Sequence, residues 1–215
     1  MIRILSILAL VSLVVACAGG AQRALIDERR ACLGNGQGAI EACTRIIARD
    51  VPRDVLIEAY INRGNARVDT GDIDGALADM QAVIDLDPDD PLAYFNRGDA
   101  YLKLDKPERA IAEFSRSIEL DPNYAPSYSM RGSVYSLVDK HALALADHDR
   151  ALSLEPKDAV MLYNRALSLF FAQDYERALT DLDAALRVRA SYGVARELRA
   201  EVLRILQQQK AGNGG

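Results

Sequence analysis

Apolar residues fall at helical spacing along most of the chain. In residues 91–124, Tyr94, Gly98 and Tyr101 stand three and four apart and so share one helical face. Ala110 and Phe114 do the same in a second predicted helix, which Pro122 ends, since proline lacks the amide donor and clashes with the preceding turn. Similar residues recur 34 positions away on both sides: Tyr60, Gly64, Ala76, Met80 and Pro88 before, and Tyr128, Gly132, Tyr135, Ala144, His148 and Pro156 after. A fixed period of this length marks a repeated pair of helices. The pattern predicts helices near 57–70 and 73–86, with the same arrangement in 91–124, 125–158 and, less regularly, 159–192. In that last stretch Ala166 replaces the glycine, Leu162 and Leu169 replace the tyrosines, and Ala190 stands in the proline's place. Asp72 is placed to cap a helix, and Pro91 behind Asp90 to open one.

The pattern, an aromatic or leucine, then glycine, then tyrosine, then Ala-x3-Phe, then proline, resembles that of the tetratricopeptide repeat family. Here Tyr60, Tyr94, Tyr128 or Leu162 takes the tryptophan place, and Arg63, Arg97, Arg131 and Arg165 take the leucine place. The resemblance implies an all-α fold, with antiparallel helix pairs stacked as a right-handed superhelix whose concave face holds a peptide or helix of a partner protein. By the same resemblance that face is lined by Ile61, Asn65, Phe95, Asp99, Leu102, Lys103, Ser129, Ser133, Leu137, Tyr163, Leu167 and Phe170. Some of these side chains are also placed to pack repeat on repeat. The chaperone-tail clamp of some family members is incomplete: Asn65 and Asn96 match it, while Ile61, Pro126 and Met130 fill its basic places.

The flanks read as caps. Residues 22–56 form a degenerate hairpin, with helices near 23–33 and 39–49 joined by the glycine-rich run 34–38, and Ala42 and Ile46 in the repeat's Ala and Phe places. Residues 193–209 form a capping helix whose apolar stripe is Val194, Leu198, Val202, Leu203 and Leu206, opposite an Arg- and Gln-rich face. Residues 210–215 read as a flexible tail.

The first 21 residues have the design of a signal peptide: Arg3, an apolar stretch from Ile4 to Val15, and small residues ending at Ala21. That stretch is short of the roughly 20 residues that span a bilayer. Two processing routes fit. Val14-Val15-Ala16-Cys17 resembles a lipobox, with Cys17 lipidated after a signal ending at Ala16; the other route is ordinary cleavage after Ala18 or Ala21. Export to a periplasm is expected either way, with attachment to the outer membrane if Cys17 is acylated. Cys32 and Cys43 are then an even pair in an oxidising compartment, on either side of the glycine turn. A disulfide would staple that hairpin; two buried thiols is the other reading.

Composition removes several function classes. A formal charge of −5 and pI near 5.1 offer no broad basic surface, so nucleic acid is not an expected partner. No nucleophile stands beside a matched base, and no glycine motif cradles a phosphate. His141 and His148 are seven apart, but two histidines make a poor metal site, and His148 falls where the repeat wants a core aromatic. No catalytic residue, metal or cofactor is expected. Arg63, Arg97, Arg131 and Arg165 are each followed sixteen residues later by an acid: Asp79, Glu113, Asp147 and Asp181. Because both members recur together, the pairs read as an ion-pair ladder that sets helix register rather than as a ligand site. The expected function is a scaffold that binds a protein partner in the cell envelope, with self-association as the alternative and the membrane involved only through Cys17.

Overall fold

The computed structural model describes residues 22–212; the export-signal segment with Cys17, and residues 213–215, lie outside the described residues. Every regular element among the described residues is an α-helix. The chain divides into two compact units at Pro88 and Asp89.

The first unit contains α1 (22–32), α2 (Gly36–Ile47), α3 (Arg53–Thr70) and α4 (Ile73–Leu86). Cys32 and Cys43 are joined by a disulfide, with S–S 2.10 Å and Cα–Cα 4.9 Å. Around it Ala42, Ile46, Val55 and Ala59 form the core, and Leu25 of α1 packs against them. Two boundaries differ from the sequence reading. Gly38 lies inside α2, and Gly36, the first residue of that helix, keeps the left-handed φ of +67° that the turn requires, so the turn is shorter than the glycine-rich run. Helix α3 begins at Arg53, a turn earlier than the repeat predicts, because Pro52 supplies a fixed φ of −54° at its start and Val55 has the α2 core to bury against. Gly71, at φ +85°, ends α3 in the left-handed region that glycine adopts freely. Asp72 then caps α4, accepting a hydrogen bond from the Gly75 amide at 3.0 Å.

The second unit contains α5 (Pro91–Lys103), α6 (Pro107–Leu120), α7 (Ala125–Leu137), α8 (His141–Leu154), α9 (Ala159–Phe171), α10 (Tyr175–Val188) and α11 (Gly193–Gly212). Three hairpins, α5/α6, α7/α8 and α9/α10, follow one another, and α11 packs on the last. Their turns are one device: Asp105, Asp139 and Gln173 have φ of +54°, +58° and +61°. Asp90 caps α5 through the Leu92 amide, and Asp158 caps α9 through the Val160 and Met161 amides, all at 2.8 Å. Small residues set how closely the helices of a hairpin approach. A Cβ at Gly98 would stand 2.8 Å from the Phe114 ring, and one at Gly132 would stand 3.1 Å from the His148 ring. Phe114 and His148 are both fully buried.

The capping helix differs in detail from its prediction. Ala195 and Val202 are buried and Leu198 and Leu206 pack beside them, whereas Val194 is 45% exposed. Helix α11 also runs on to Gly212 through residues expected to begin the tail.

Candidate partner-binding surface

The ladder arginines hold each hairpin in register and take those side chains out of ligand binding. In the first unit, Arg63 donates to both oxygens of Asp79 at 3.0 and 2.7 Å, and Arg67 adds a bond at 2.7 Å. In the second, Arg97 reaches Glu113 at 2.8 Å, Arg131 grips Asp147 at 2.7 and 2.9 Å, and Arg165 grips Asp181 at 2.7 and 2.8 Å. The hydrogen bond to its acid raises the pKa of both Arg131 and Arg165, so these cations stay charged at any physiological pH. Each of the first three arginines also lies over the tyrosine three residues before it, at 5.4, 5.3 and 5.8 Å from the ring centroid. A third prong reaches the preceding hairpin: Arg131 Nη1 donates to Ser115 at 2.9 Å, and Arg165 Nη1 to Asp149 at 2.8 Å.

The residues expected to line a partner groove fall into two groups. Ile61 and Asn65 lie on α3 in the first unit, Ile61 half-buried and Asn65 exposed. The other ten lie in the second unit, on α5, α7 and α9. Ser129 is buried and accepts a hydrogen bond from Asn164 of α9 at 3.1 Å, so it joins α7 to α9. Ser133 donates back to the Ser129 carbonyl within its own helix. Phe95 is half-buried, 5.6 Å from the Phe114 ring and 5.4 Å, edge-on, from Tyr124. Tyr163 lies 5.3 Å from Tyr192, and Phe170 lies 5.7 Å from Tyr175. These three aromatics are half-buried and each packs against another ring. Burial raises the pKa of Tyr124 and Tyr192, which keeps both phenols neutral. Asp99, Leu102 and Leu167 are half-buried, Lys103 is exposed, and Leu137 is 67% exposed.

One residue of this surface escaped the sequence reading. Phe171, 50% exposed, stands 34 positions after Leu137 and 68 after Lys103. The period itself was the signal that could have found it. Position 103, 137 or 171 is exposed in all three hairpins of the second unit, yet carries lysine, leucine and phenylalanine. A position that the repeat leaves open and fills with unlike side chains is available for binding.

The described residues contain no cluster of histidine, cysteine and carboxylate that could hold a metal, and no helix long and apolar enough to cross a membrane. His148, within hydrogen-bond reach of Ser168 Oγ at 2.8 Å, is a core residue. Its pKa is lowered to about 4 by burial and then by the Arg165 charge.

Residues 61–125 match the tetratricopeptide repeat family. No curated protein matches the chain significantly in sequence. Among solved structures, a thermophilic TPR protein of Thermus thermophilus is 22% identical, covers 77% of this chain and 89% of its own, and superposes with a TM-score of 0.69. YrrB, described as a TPR protein with an unusual peptide-binding site, is 19% identical over 75% of this chain and 82% of its own, with a TM-score of 0.58. The first TPR of Spaghetti (RPAP3), solved bound to an HSP90 peptide, is 27% identical over 52% of this chain and 91% of its own, with a TM-score of 0.50. The fold is thus all-helical and of the tetratricopeptide-repeat kind.

Proposed function

For a chain built from tetratricopeptide repeats, a fold that serves as a protein-interaction scaffold, we propose a non-catalytic adaptor of the bacterial cell envelope that binds an extended or helical segment of a partner protein. The carrying observation is the row Lys103, Leu137 and Phe171, exposed at one repeat position on successive first helices that also carry the half-buried Phe95, Tyr163 and Phe170. Apolar anchors spaced by a rigid scaffold and flanked at one end by a cation suit a peptide with matching apolar side chains. One of the solved structures is described as having a peptide-binding site and another as bound to a peptide, which supports the same use here. The envelope part of the reading rests on the signal-like first 21 residues, and the lipid anchor on Cys17 alone.

The test is crosslinked capture from the envelope of the source cells, comparing the native protein with Leu137→Glu. Leu137 is chosen because its side chain is 67% exposed, whereas Phe95 and Tyr163 carry ring contacts that a truncation to alanine would remove. A partner lost from Leu137→Glu, with the unfolding curve unchanged, supports the groove. A partner retained by that variant and by Phe171→Ala overturns it, and capture of the protein alone would leave self-association as the account. Intact mass of the processed product tests the anchor: an unmodified start at Gly19 or Gln22 removes it.

A further inference from the structure

The 34-residue period continues beyond the last complete hairpin. Arg199 stands 34 residues after Arg165, and Arg196, Ala200 and Leu203 stand 34 after Leu162, Ala166 and Leu169. In α9 this register faces the second helix of the hairpin: Arg165 grips Asp181, and Ala166 and Leu169 cluster with Leu182. In α11 the same face borders an open groove of about 850 Å³, whose opposite wall includes Asp183 and Leu186 of α10.

Arg199 makes only half of the ladder contact. Its Nε donates to Asp183 at 2.5 Å, the backward bond that Arg165 makes to Asp149. The forward, two-pronged bond has no counterpart among the described residues, and the position sixteen further on is Gly215, which has no side chain. The Arg199 side chain is accordingly 39% exposed, against 12, 16, 19 and 23% for the four ladder arginines before it. Ala200, where the repeat keeps a small residue for close helix approach, lies in the open.

We propose that α11 is the first helix of a repeat completed from outside, and that the groove seats an amphipathic helix of a partner protein. This helix carries the chain's own second-helix pattern: alanine, an acid three residues later and a large apolar residue at the fourth. Ala178, Asp181 and Leu182 of α10 are its nearest example. The acid meets Arg199, the apolar side chain covers Ala200 and Leu203, and the alanine permits the approach. Charge favours an acidic occupant, since Arg187 and Arg196 also line the groove and neither has an ion-pair partner among the described residues. A second copy of this chain is a poor occupant. Its cap helix α2 places Arg45 where the acid should be, and its other second helices already hold their acids against their own arginines. The seat uses none of the residues assigned to the partner groove, so it stands or falls separately from the proposed function.

The probe is a fluorescein-labelled peptide of this chain's residues 174–189, titrated with the full-length protein by anisotropy and followed by circular dichroism. Saturable binding with a gain of helical signal is expected. Arg199→Glu should weaken it at least tenfold, and a peptide carrying Asp181→Arg should restore binding to that variant. Leu203→Asp should weaken both peptides, with unfolding curves confirming that each variant is folded. No binding by the native protein, or equal binding by native protein and Arg199→Glu, overturns the proposal.

Discussion

Arg165 holds Asp181 through two parallel hydrogen bonds, Nε to Oδ2 at 2.7 Å and Nη2 to Oδ1 at 2.8 Å, joining the two helices of the third hairpin in the second unit. Both groups are largely withdrawn from water, with side-chain exposures of 23 and 7%. Desolvation offsets most of the attraction in such a pair, so its presence says more about register than about stability. Removing one partner is different, because the other charge stays behind. Asp181→Ala should destabilise the protein by about 3 kcal/mol, moderated by the bond Arg165 keeps to Asp149, while Arg165→Met with Asp181→Leu should come close to neutral. Urea unfolding of the single and double variants checks this. A single variant as stable as the native chain would remove the ladder from the account.

His148 makes stability depend on acid. Its pKa is 6.5 in an unfolded chain and is lowered to about 4 in the fold by burial, with the Arg165 charge adding to the effect and Asp149 opposing it. Above 6.5 both states carry neutral imidazole and nothing is lost. As pH falls below that value the unfolded chain takes up a proton that the folded chain does not, so stability declines until about pH 4 and then levels, a total of about 3 kcal/mol from this group. Replacing His148 by Phe, the residue at the matching place in α6, together with Ser168→Ala, should flatten that part of the profile. Urea midpoints measured from pH 7.5 down to about 4 would show it, and parallel profiles for the two proteins would refute it.

Two glycine-to-alanine changes should act with opposite sign. Gly98→Ala drives a methyl to 2.8 Å from Phe114, a ring with nowhere to retreat, and should cost about 1–3 kcal/mol from overpacking, partly offset by better helix propensity. Gly38, inside α2, has open space where a Cβ would go, so Gly38→Ala should stabilise by about 0.5–1 kcal/mol. Thermal unfolding distinguishes them.

The disulfide closes a loop with a sequence separation of 11. On a chain-entropy account a loop this short contributes about 3 kcal/mol. Cys32→Ser with Cys43→Ser, or treatment with reductant, should lower the stability of the first unit by that order. Thiol labelling of the non-reduced, unfolded protein should leave Cys32 and Cys43 unmodified.

The fold was legible because each repeat states the same demand several times over. Gly64, Gly98 and Gly132, the arginine ladder and the hairpin prolines are local requirements of two packed helices, and sliding by 34 exposes them together. What the period does not encode was read less well. Gly38 is a turn former by type but helical in place, because α2 packs Ala39 and Ala42 inward and carries its first turn with it, whereas Gly36, at φ +67°, serves as a turn glycine. Val194 falls on the apolar stripe of α11 by hydrophobicity yet is 45% exposed, while Ala195, outside that stripe, is buried with Val202. Ser129 illustrates the limit at the surface: nothing in its own helix announces that Asn164, 35 residues later, reaches back to it.

The arrangement of the second unit also fixes how it can form. Its principal packing joins helices one or two places apart in the chain, hairpin partner to hairpin partner and then first helix to first helix. Such neighbours meet without closing a long loop, and chains dominated by local contacts reach the native state in microseconds to milliseconds. Nucleation can begin in any hairpin and spread in either direction. Helix α11, which borders the open groove beyond α10, should release its amide protons readily to exchange, and a bound partner helix would slow that release.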